Sequence, residues 1–254
     1  MQVAAVQHTI VWHDPSANHA HLAPLIAAAA QEGADLVVLS EMFSTGFSMD
    51  TECVAQAPEG PSVTFLQEQA ALHGVWIAGS VPVADQTDAL PVNRLVLAGP
   101  QGEQHHYDKE HPFSFAGEDQ HYRPGQQPVT VSVHGVRCTL TVCYDLRFVE
   151  SYWPLAAHTD CYLVVANWPQ TRRHHWRTLL AARAIENQAY VVGVNRVGSD
   201  LNLEYSGDSV ILSPLGEVLA ECPPGMEATL MAEVDPGQVA EVRSQFPFMN
   251  DRRP

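Results

Sequence analysis

Short apolar runs alternate with amphipathic stretches from the first residues of the chain. Val3 to Val6 reads as a short buried strand. Ser16 stands where a cap is needed for a helix carrying Leu22, Leu25, Ile26 and Ala29 at helical spacing, stopped near Gly33. Leu36-Val-Val-Leu39 is too short for a helix and predicts a second buried strand. A helix over Ser62 to Leu72 then leads to a strand over Val75 to Gly79.

The middle of the chain changes period. Asn93 to Ala98 and Glu103 to Tyr107 flank Pro100-Gln101-Gly102, and Val129 to Val133 and Val136 to Val142 flank His134-Gly135. Both patterns predict hairpins, because proline pre-sets the first turn position and glycine takes the left-handed one. Ser213 to Glu217 repeats the first turn's chemistry. A helix from about Phe148, a strand over Cys161 to Ala166 and a helix over Thr171 to Asn187 follow. Strands over Tyr190 to Asn195, Ser209 to Leu212 and Ala228 to Val234 complete the pattern. Hairpins mixed with β-α units predict one α/β domain over residues 1–254, with a mixed sheet or two sheets and helices outside. No fixed repeat and no low-complexity linker interrupts it.

Composition narrows the function classes. Thirteen basic residues stand against twenty-nine acids, a net charge of −16, which argues against holding nucleic acid or an anionic membrane by bulk electrostatics. The 46% hydrophobic content supports a large core. The chain has no apolar run of the roughly 20 residues a membrane helix needs, and its start lacks a basic leader with an apolar core, so a cytoplasmic location is expected. The five cysteines (Cys53, Cys138, Cys143, Cys161, Cys222) lack C-x-x-C spacing and read as free thiols. The pairs His105-His106 and His174-His175 are adjacent rather than at i, i+4, so neither a metal nor another cofactor is expected.

Three places put polar groups at the carboxyl ends of apolar strands, where loops carry reactive groups over a sheet. Glu41 ends Leu36-Val-Val-Leu-Ser and would be a desolvated carboxylate base, or simply the first solvated residue after the strand. Cys143 closes Thr139-Leu-Thr-Val before a helical turn, whose N–H groups can stabilise a thiolate and an oxyanion. The plainer reading is a packed thiol, the role expected of Cys138 and Cys161. Lys109 is the only lysine beside twelve arginines, and it lies at the end of a hairpin strand in Tyr107-Asp-Lys-Glu110. The plainer reading is a solvated surface lysine, and an arginine-for-lysine bias can be compositional, but an ammonium differs chemically from a guanidinium fork. Together the three describe an acyl-transfer site of nucleophile, base and oxyanion donor.

In this order and at these separations, the Glu41, Lys109 and Cys143 segments resemble the three signatures of the nitrilase superfamily of carbon–nitrogen hydrolases, over essentially the whole chain. That resemblance implies a four-layer α-β-β-α sandwich that dimerises through helical faces. It implies a second glutamate a fixed distance before a Pro-Gly pair. Glu118 before Pro124-Gly125 matches, with Asp119 the competing assignment. Within the superfamily the chain is most similar to bacterial omega-amidases, through Cys143-Tyr-Asp-Leu-Arg-Phe148, Val165-Ala-Asn-Trp-Pro169, His175-Trp176, Ala182 to Tyr190, Asn195-Arg-Val-Gly198 and Tyr205-Ser-Gly-Asp-Ser209. The implied reaction is hydrolysis of the terminal amide of 2-oxoglutaramate or 2-oxosuccinamate through a cysteine thioester. Glu41 would be the base, Lys109 and the Tyr144 N–H the oxyanion donors, and Glu118 an orienting group.

A substrate carboxylate needs a guanidinium, for which Arg172 and Arg173 after Asn167-Trp168-Pro169 are the candidates. Trp168 and Phe47 are candidate pocket walls or core residues, and Arg147 is expected in an ion pair with a neighbouring acid. Competing readings are a hydrolase for a nitrile, a carbamoyl group or another amide, and a non-catalytic binding protein on the same fold. A papain-like thiol hydrolase is a weaker third, since no histidine stands out as a partner for Cys143.

Overall fold

The computed structural model describes residues 1–85 and 89–252. In chain order the regular elements begin with β1 (Gln2–Gln7), α1 (Pro15–Gln31), β2 (Leu36–Val38), α2 (Thr51–Val54), α3 (Pro61–His73) and β3 (Trp76–Val83). Next come β4 (Val92–Ala98), β5 (Gln104–Asp108), α4 (Glu118–His121), β6 (Thr130–Val133), β7 (Val136–Val142), β8 (Cys161–Ala166) and α5 (Arg173–Asn187). The rest are β9 (Tyr190–Asn195), β10 (Val197–Ser199), β11 (Glu204–Ser206), β12 (Val210–Leu212), β13 (Val218–Glu221), β14 (Ala228–Glu233) and α6 (Pro236–Gln245).

The strands form two six-stranded sheets, ordered β14-β1-β2-β3-β4-β5 and β13-β12-β9-β8-β7-β6, with β10-β11 as a separate ribbon. Each sheet has a parallel centre, β1-β2-β3 in one and β7-β8-β9 in the other, flanked by antiparallel strands. Central parallel strands are covered on both faces, which is why they carry nearly unbroken apolar runs. One face of each sheet meets the other sheet, with Val3, Leu36, Leu95 and Tyr107 against Val133, Leu140, Leu163 and Val192. The outer face of the first sheet packs on Leu22 and Ile26 of α1 and on Val63 and Leu66 of α3. That of the second packs on Trp176, Leu180 and Ala184 of α5. The layers therefore run α-β-β-α.

Local chemistry revises several sequence-based boundaries. The side chain of Asp14, rather than Ser16, caps α1 by accepting from the Ala17 N–H at 2.9 Å, and Pro15 opens the helix, where its missing donor costs nothing. No α-helix begins at Phe148. Residues Val149–Ser151 and Trp153–His158 form 3-10 turns instead, because Pro154 lacks a backbone donor and disfavours helical geometry before it. Thr171 lies in a 3-10 turn that precedes α5. The exposed edge strand β13 and helix α6 extend the predicted pattern. Asp235-Pro236 supplies for α6 the same cap-and-proline start that opens α1.

Candidate active site

The loops leaving β2, β5, β7 and β8 at their carboxyl ends converge on one cavity of about 210 Å³. Glu41, Lys109 and Cys143 all line it, together with Tyr144, Phe47, Trp168 and Arg172. The three strand-end positions are thus brought together, and both β-sheets contribute.

Glu41 is wholly buried, yet every polar atom of its carboxylate is engaged. Oε1 accepts from Lys109 Nζ at 2.9 Å and from Asn93 Nδ2 at 2.8 Å, and Oε2 accepts from the Asn167 N–H at 2.8 Å. The Asn167 side chain also donates to the Glu41 carbonyl at 2.5 Å. A buried carboxylate survives only with such partners. Lys109 is buried too, and its ammonium meets Glu118 Oε2 at 2.8 Å and Oε1 at 3.0 Å. Glu118 further accepts from the Phe113 N–H at 2.5 Å and from Asn93 Nδ2 at 3.3 Å. Asp119, the rival for this position, is exposed and makes none of these contacts.

Charge in this cluster follows from its burial. Burial works against the Lys109 ammonium, but the adjoining Glu118 and Glu41 carboxylates outweigh it and hold its pKa above the ordinary lysine value. Burial pushes the Glu118 carboxyl up from the usual range, with the Lys109 charge opposing. Burial also pushes the Cys143 thiol well above its ordinary value. The charge and hydrogen bonding of Glu41 add to that shift, and the Lys109 charge opposes it. Cys143 is therefore held as a thiol, beside a carboxylate that can take its proton.

Cys143 sits on a sharp strand-to-turn corner, with φ of +48° in the left-handed region. For a non-glycine residue this conformation is strained, and it turns the side chain out of the strand into the cavity. Asp145 holds the corner. Its Oδ2 accepts from the Val142 N–H at 3.0 Å and from the Tyr107 hydroxyl at 2.8 Å, and its Oδ1 from the His111 N–H at 2.9 Å. The Cys143 turn is thereby fastened to the strand end that carries Lys109. Gly125 explains the Pro-Gly pair in the sequence. A Cβ there would lie 1.9 Å from the Asp108 carbonyl oxygen, and the Gly125 N–H donates to the Lys109 carbonyl at 2.8 Å.

The arginines divide differently from expectation. Arg173 is drawn away from the cavity into a two-bond pair with Asp208, at 2.7 and 2.6 Å. Arg147, expected in an ion pair, has no acidic partner among the described residues. Its guanidinium lies 4.6 Å from the Trp168 ring centre and lines the cavity. The 3-10 turn from Cys143 to Arg147 projects it inward, a placement that residue types alone do not reveal. Arg172 stacks 5.3 Å over Phe113 and likewise lacks an acidic partner among the described residues. Burial, and next the neighbouring Arg172 charge, lower the Arg147 pKa. Phe47 faces Lys109 with 5.2 Å between nitrogen and ring centre, and Trp168 is anchored through Nε1–H to the Arg172 carbonyl at 2.8 Å. Asn93 and Asn167 were not singled out as site residues. Asn167 follows an apolar strand, the same signal that marked Glu41, while Asn93 sits inside β4 with no such cue.

Comparison with known proteins agrees with this geometry. The model of the carbon–nitrogen hydrolase family matches residues 2–244. The omega-amidase YafV of Yersinia enterocolitica is 42% identical, with 99% of this chain and 96% of that protein aligned. A 2-oxoglutaramate amidase of Bacillus subtilis is 34% identical, over 99% and 97%. Among solved structures, a CN-hydrolase superfamily protein from Xanthomonas campestris, with an arsenic adduct in its active site, superposes with a TM-score of 0.92. It is 37% identical and covers 100% of this chain and 97% of its own. A mutant amidase from Nesterenkonia sp. AN1, carrying acrylamide on its active-site cysteine by Michael addition, has a TM-score of 0.84 at 26% identity, covering 97% and 98%.

Proposed function

Because this chain belongs to the carbon–nitrogen hydrolase family, we propose that it is an omega-amidase, which hydrolyses the terminal amide of a small 2-oxo dicarboxylic monoamide. The products are the dicarboxylate and ammonia. One feature of the cavity carries the choice of substrate: a cysteine, a carboxylate and an ammonium lie at one end, and two guanidiniums without acidic partners among the described residues line the same space. A molecule with an amide at one end and a carboxylate at the other satisfies both halves. In a chain of net charge −16, such local positive charge is the means of holding an anion.

In this reading Glu41 takes the thiol proton as Cys143 Sγ attacks the amide carbon. The oxyanion is met by the Tyr144 N–H, in the first turn where no intrahelical acceptor competes, and by Lys109. A bifurcated bond to Glu118 leaves one ammonium proton of Lys109 free for that task. Protonated Glu41 returns its proton to the departing nitrogen, giving ammonia and a thioester. Glu41 then removes a proton from water as the water oxygen attacks the thioester carbon. It passes that proton to the departing Cys143 sulfur, which restores the thiol and the Glu41 carboxylate, while the product acid ionises in solvent. Glu118 positions Lys109. Arg147 and Arg172 hold the substrate carboxylate, and Phe47 and Trp168 form the walls.

The family model spans 2–244, which supports one hydrolase domain. Five free cysteines favour a reducing, cytoplasmic setting, and no described helix is long and apolar enough to cross a membrane. We also read the chain as a homodimer. Ile185, Leu215, Val218 and Leu219 are exposed, and β13 leaves a sheet edge uncovered beside them. Ammonia release from 2-oxoglutaramate and 2-oxosuccinamate, set against glutamine, asparagine and simple nitriles, tests the substrate. The 2-oxo monoamides are expected to give the highest kcat/KM, and preference for a nitrile or a neutral amide would overturn the reading.

A further inference from the structure

Beside the mouth of the cavity, the loop after β1 meets the segment that opens α2. There one imidazole nitrogen of His13, an oxygen of Asp50 and Cys53 Sγ lie within 4.8 Å of one another. We propose that these three side chains form a site for a divalent cation of the zinc type, which fastens the two segments together at the rim of the substrate pocket.

Geometry carries this assignment. His13 Nδ1 and Cys53 Sγ are 3.5 Å apart. Zinc–nitrogen and zinc–sulfur bonds of about 2.05 and 2.3 Å at a tetrahedral angle set two such ligands about 3.5 Å apart. The other imidazole nitrogen is already committed, with Nε2 2.7 Å from Ser48 Oγ. An Nε2–H donated there leaves the lone pair on Nδ1, directed at the thiol, which is the outer-shell arrangement that orients a ligating histidine. Ser48 Oγ also accepts from the Asp50 N–H at 3.1 Å, and Asp50 Oδ1 accepts from the Cys53 N–H at 3.3 Å. One hydroxyl thus sets two of the ligands, and the third hangs from the second. His13 is held at a φ of +55°, a left-handed conformation uncommon outside glycine.

The ligand set selects the metal class. One imidazole, one thiolate and one carboxylate suit zinc and its neighbours, whereas magnesium and calcium require oxygen throughout. Three protein ligands at an exposed position leave a fourth for water. The absence of paired histidines at helical spacing says nothing against such a site, because His13 and Cys53 are forty positions apart and meet only in the fold.

The site adjoins the cavity. Trp12, stacked on His13 with ring centres 4.5 Å apart, lines the cavity, as does Met49, which lies between Ser48 and Asp50 in the chain. Filling the site fixes both walls.

The test uses the full chain carrying Cys143→Ala, so that the pocket thiol does not compete. Zinc is titrated calorimetrically and cobalt(II) by absorbance. One equivalent is expected, with a thiolate-to-cobalt charge-transfer band and a higher melting temperature. Cys53→Ser and His13→Gln in the same background should lose all three, and Asp50→Asn should weaken binding. Failure to bind either cation, or a cobalt band that survives Cys53→Ser, overturns the proposal. Should a variant not fold, alkylation of Cys53 in the Cys143→Ala chain decides. Zinc protects the thiol if the site exists, and an unchanged alkylation rate refutes it.

Discussion

Glu118 grips Lys109 through both carboxylate oxygens, at 2.8 and 3.0 Å, and so keeps the ammonium from becoming the exclusive partner of Glu41. Without the Glu118 charge, Lys109 would draw fully onto Glu41 and weaken it as a base. Glu118→Gln is expected to lower kcat on the order of 100-fold with a smaller change in KM. Glu118→Ala should in addition cost about 3 kcal/mol of stability, because it strips a buried charge of a partner. Lys109→Arg should be as damaging to kcat, since a planar fork cannot take the position of a compact ammonium between two carboxylates. Steady-state kinetics and thermal melts check these outcomes, and wild-type turnover in Glu118→Gln would refute the positioning role.

Cys143 combines the proposed nucleophile with a left-handed backbone. Cys143→Ala should abolish ammonia release and leave the circular dichroism spectrum unchanged. Cys143→Gly should be equally inactive but melt at least as high as Cys143→Ala. A left-handed conformation costs a residue with a Cβ roughly 1–2 kcal/mol, which offsets the extra freedom glycine has in the unfolded chain. A markedly lower melting point for the glycine variant would show that the corner is not strained.

Arg147→Ala and Arg172→Ala separate recognition from chemistry. Each should reduce kcat/KM for an anionic monoamide by about 10- to 100-fold, the worth of one charged hydrogen bond of roughly 1.5–3 kcal/mol. Hydrolysis of a neutral amide of similar size should change little. Equal losses on both substrates would remove the arginines from carboxylate binding.

His8, at the end of β1, donates from Nδ1 to the Thr9 carbonyl at 2.8 Å, and its Nε2 lies 3.0 Å from the hydroxyl of Ser40, the residue before Glu41. Burial lowers its pKa to about 4, against 6.5 when unfolded. The unfolded chain therefore binds a proton that the folded chain refuses. The stability from a neutral His8 is complete above pH 6.5 and is lost as the pH falls toward 4. His8→Gln should flatten the dependence of melting temperature on pH in that interval. An unchanged slope would mean that other groups control the acid response.

The fold and the chemistry differ in how far they can be read from residue order. Glu41 and Cys143 could be marked because each ends an apolar strand, and the unbroken apolar runs follow from strands covered on both faces. Arg147 could not, since only the 3-10 turn after Cys143 decides which way it projects. Asn93 was invisible for a related reason. Its amide bridges Glu41 and Glu118, residues contributed by two other segments, and nothing near position 93 signals that. The helix expected from about Phe148 is replaced by 3-10 turns, since Pro154 withholds a backbone donor there. His13 and Cys53 show the same limit, in that long-range proximity leaves no trace in local spacing.

Glu41 and Lys109 project from one β-sheet and Cys143 from the other, with the Asn167 link to Glu41 spanning the divide. Reaction geometry is therefore only as good as the alignment of two slabs whose shared filling includes Leu140, Leu163 and Leu95. A methylene removed from that filling, far from any substrate atom, can let the slabs slide by a fraction of an ångström and misdirect the attack, as displacements of about 1 Å do elsewhere. The oily interior of this protein acts as the gauge block of its catalyst, and turnover should report a loosened interior before melting does.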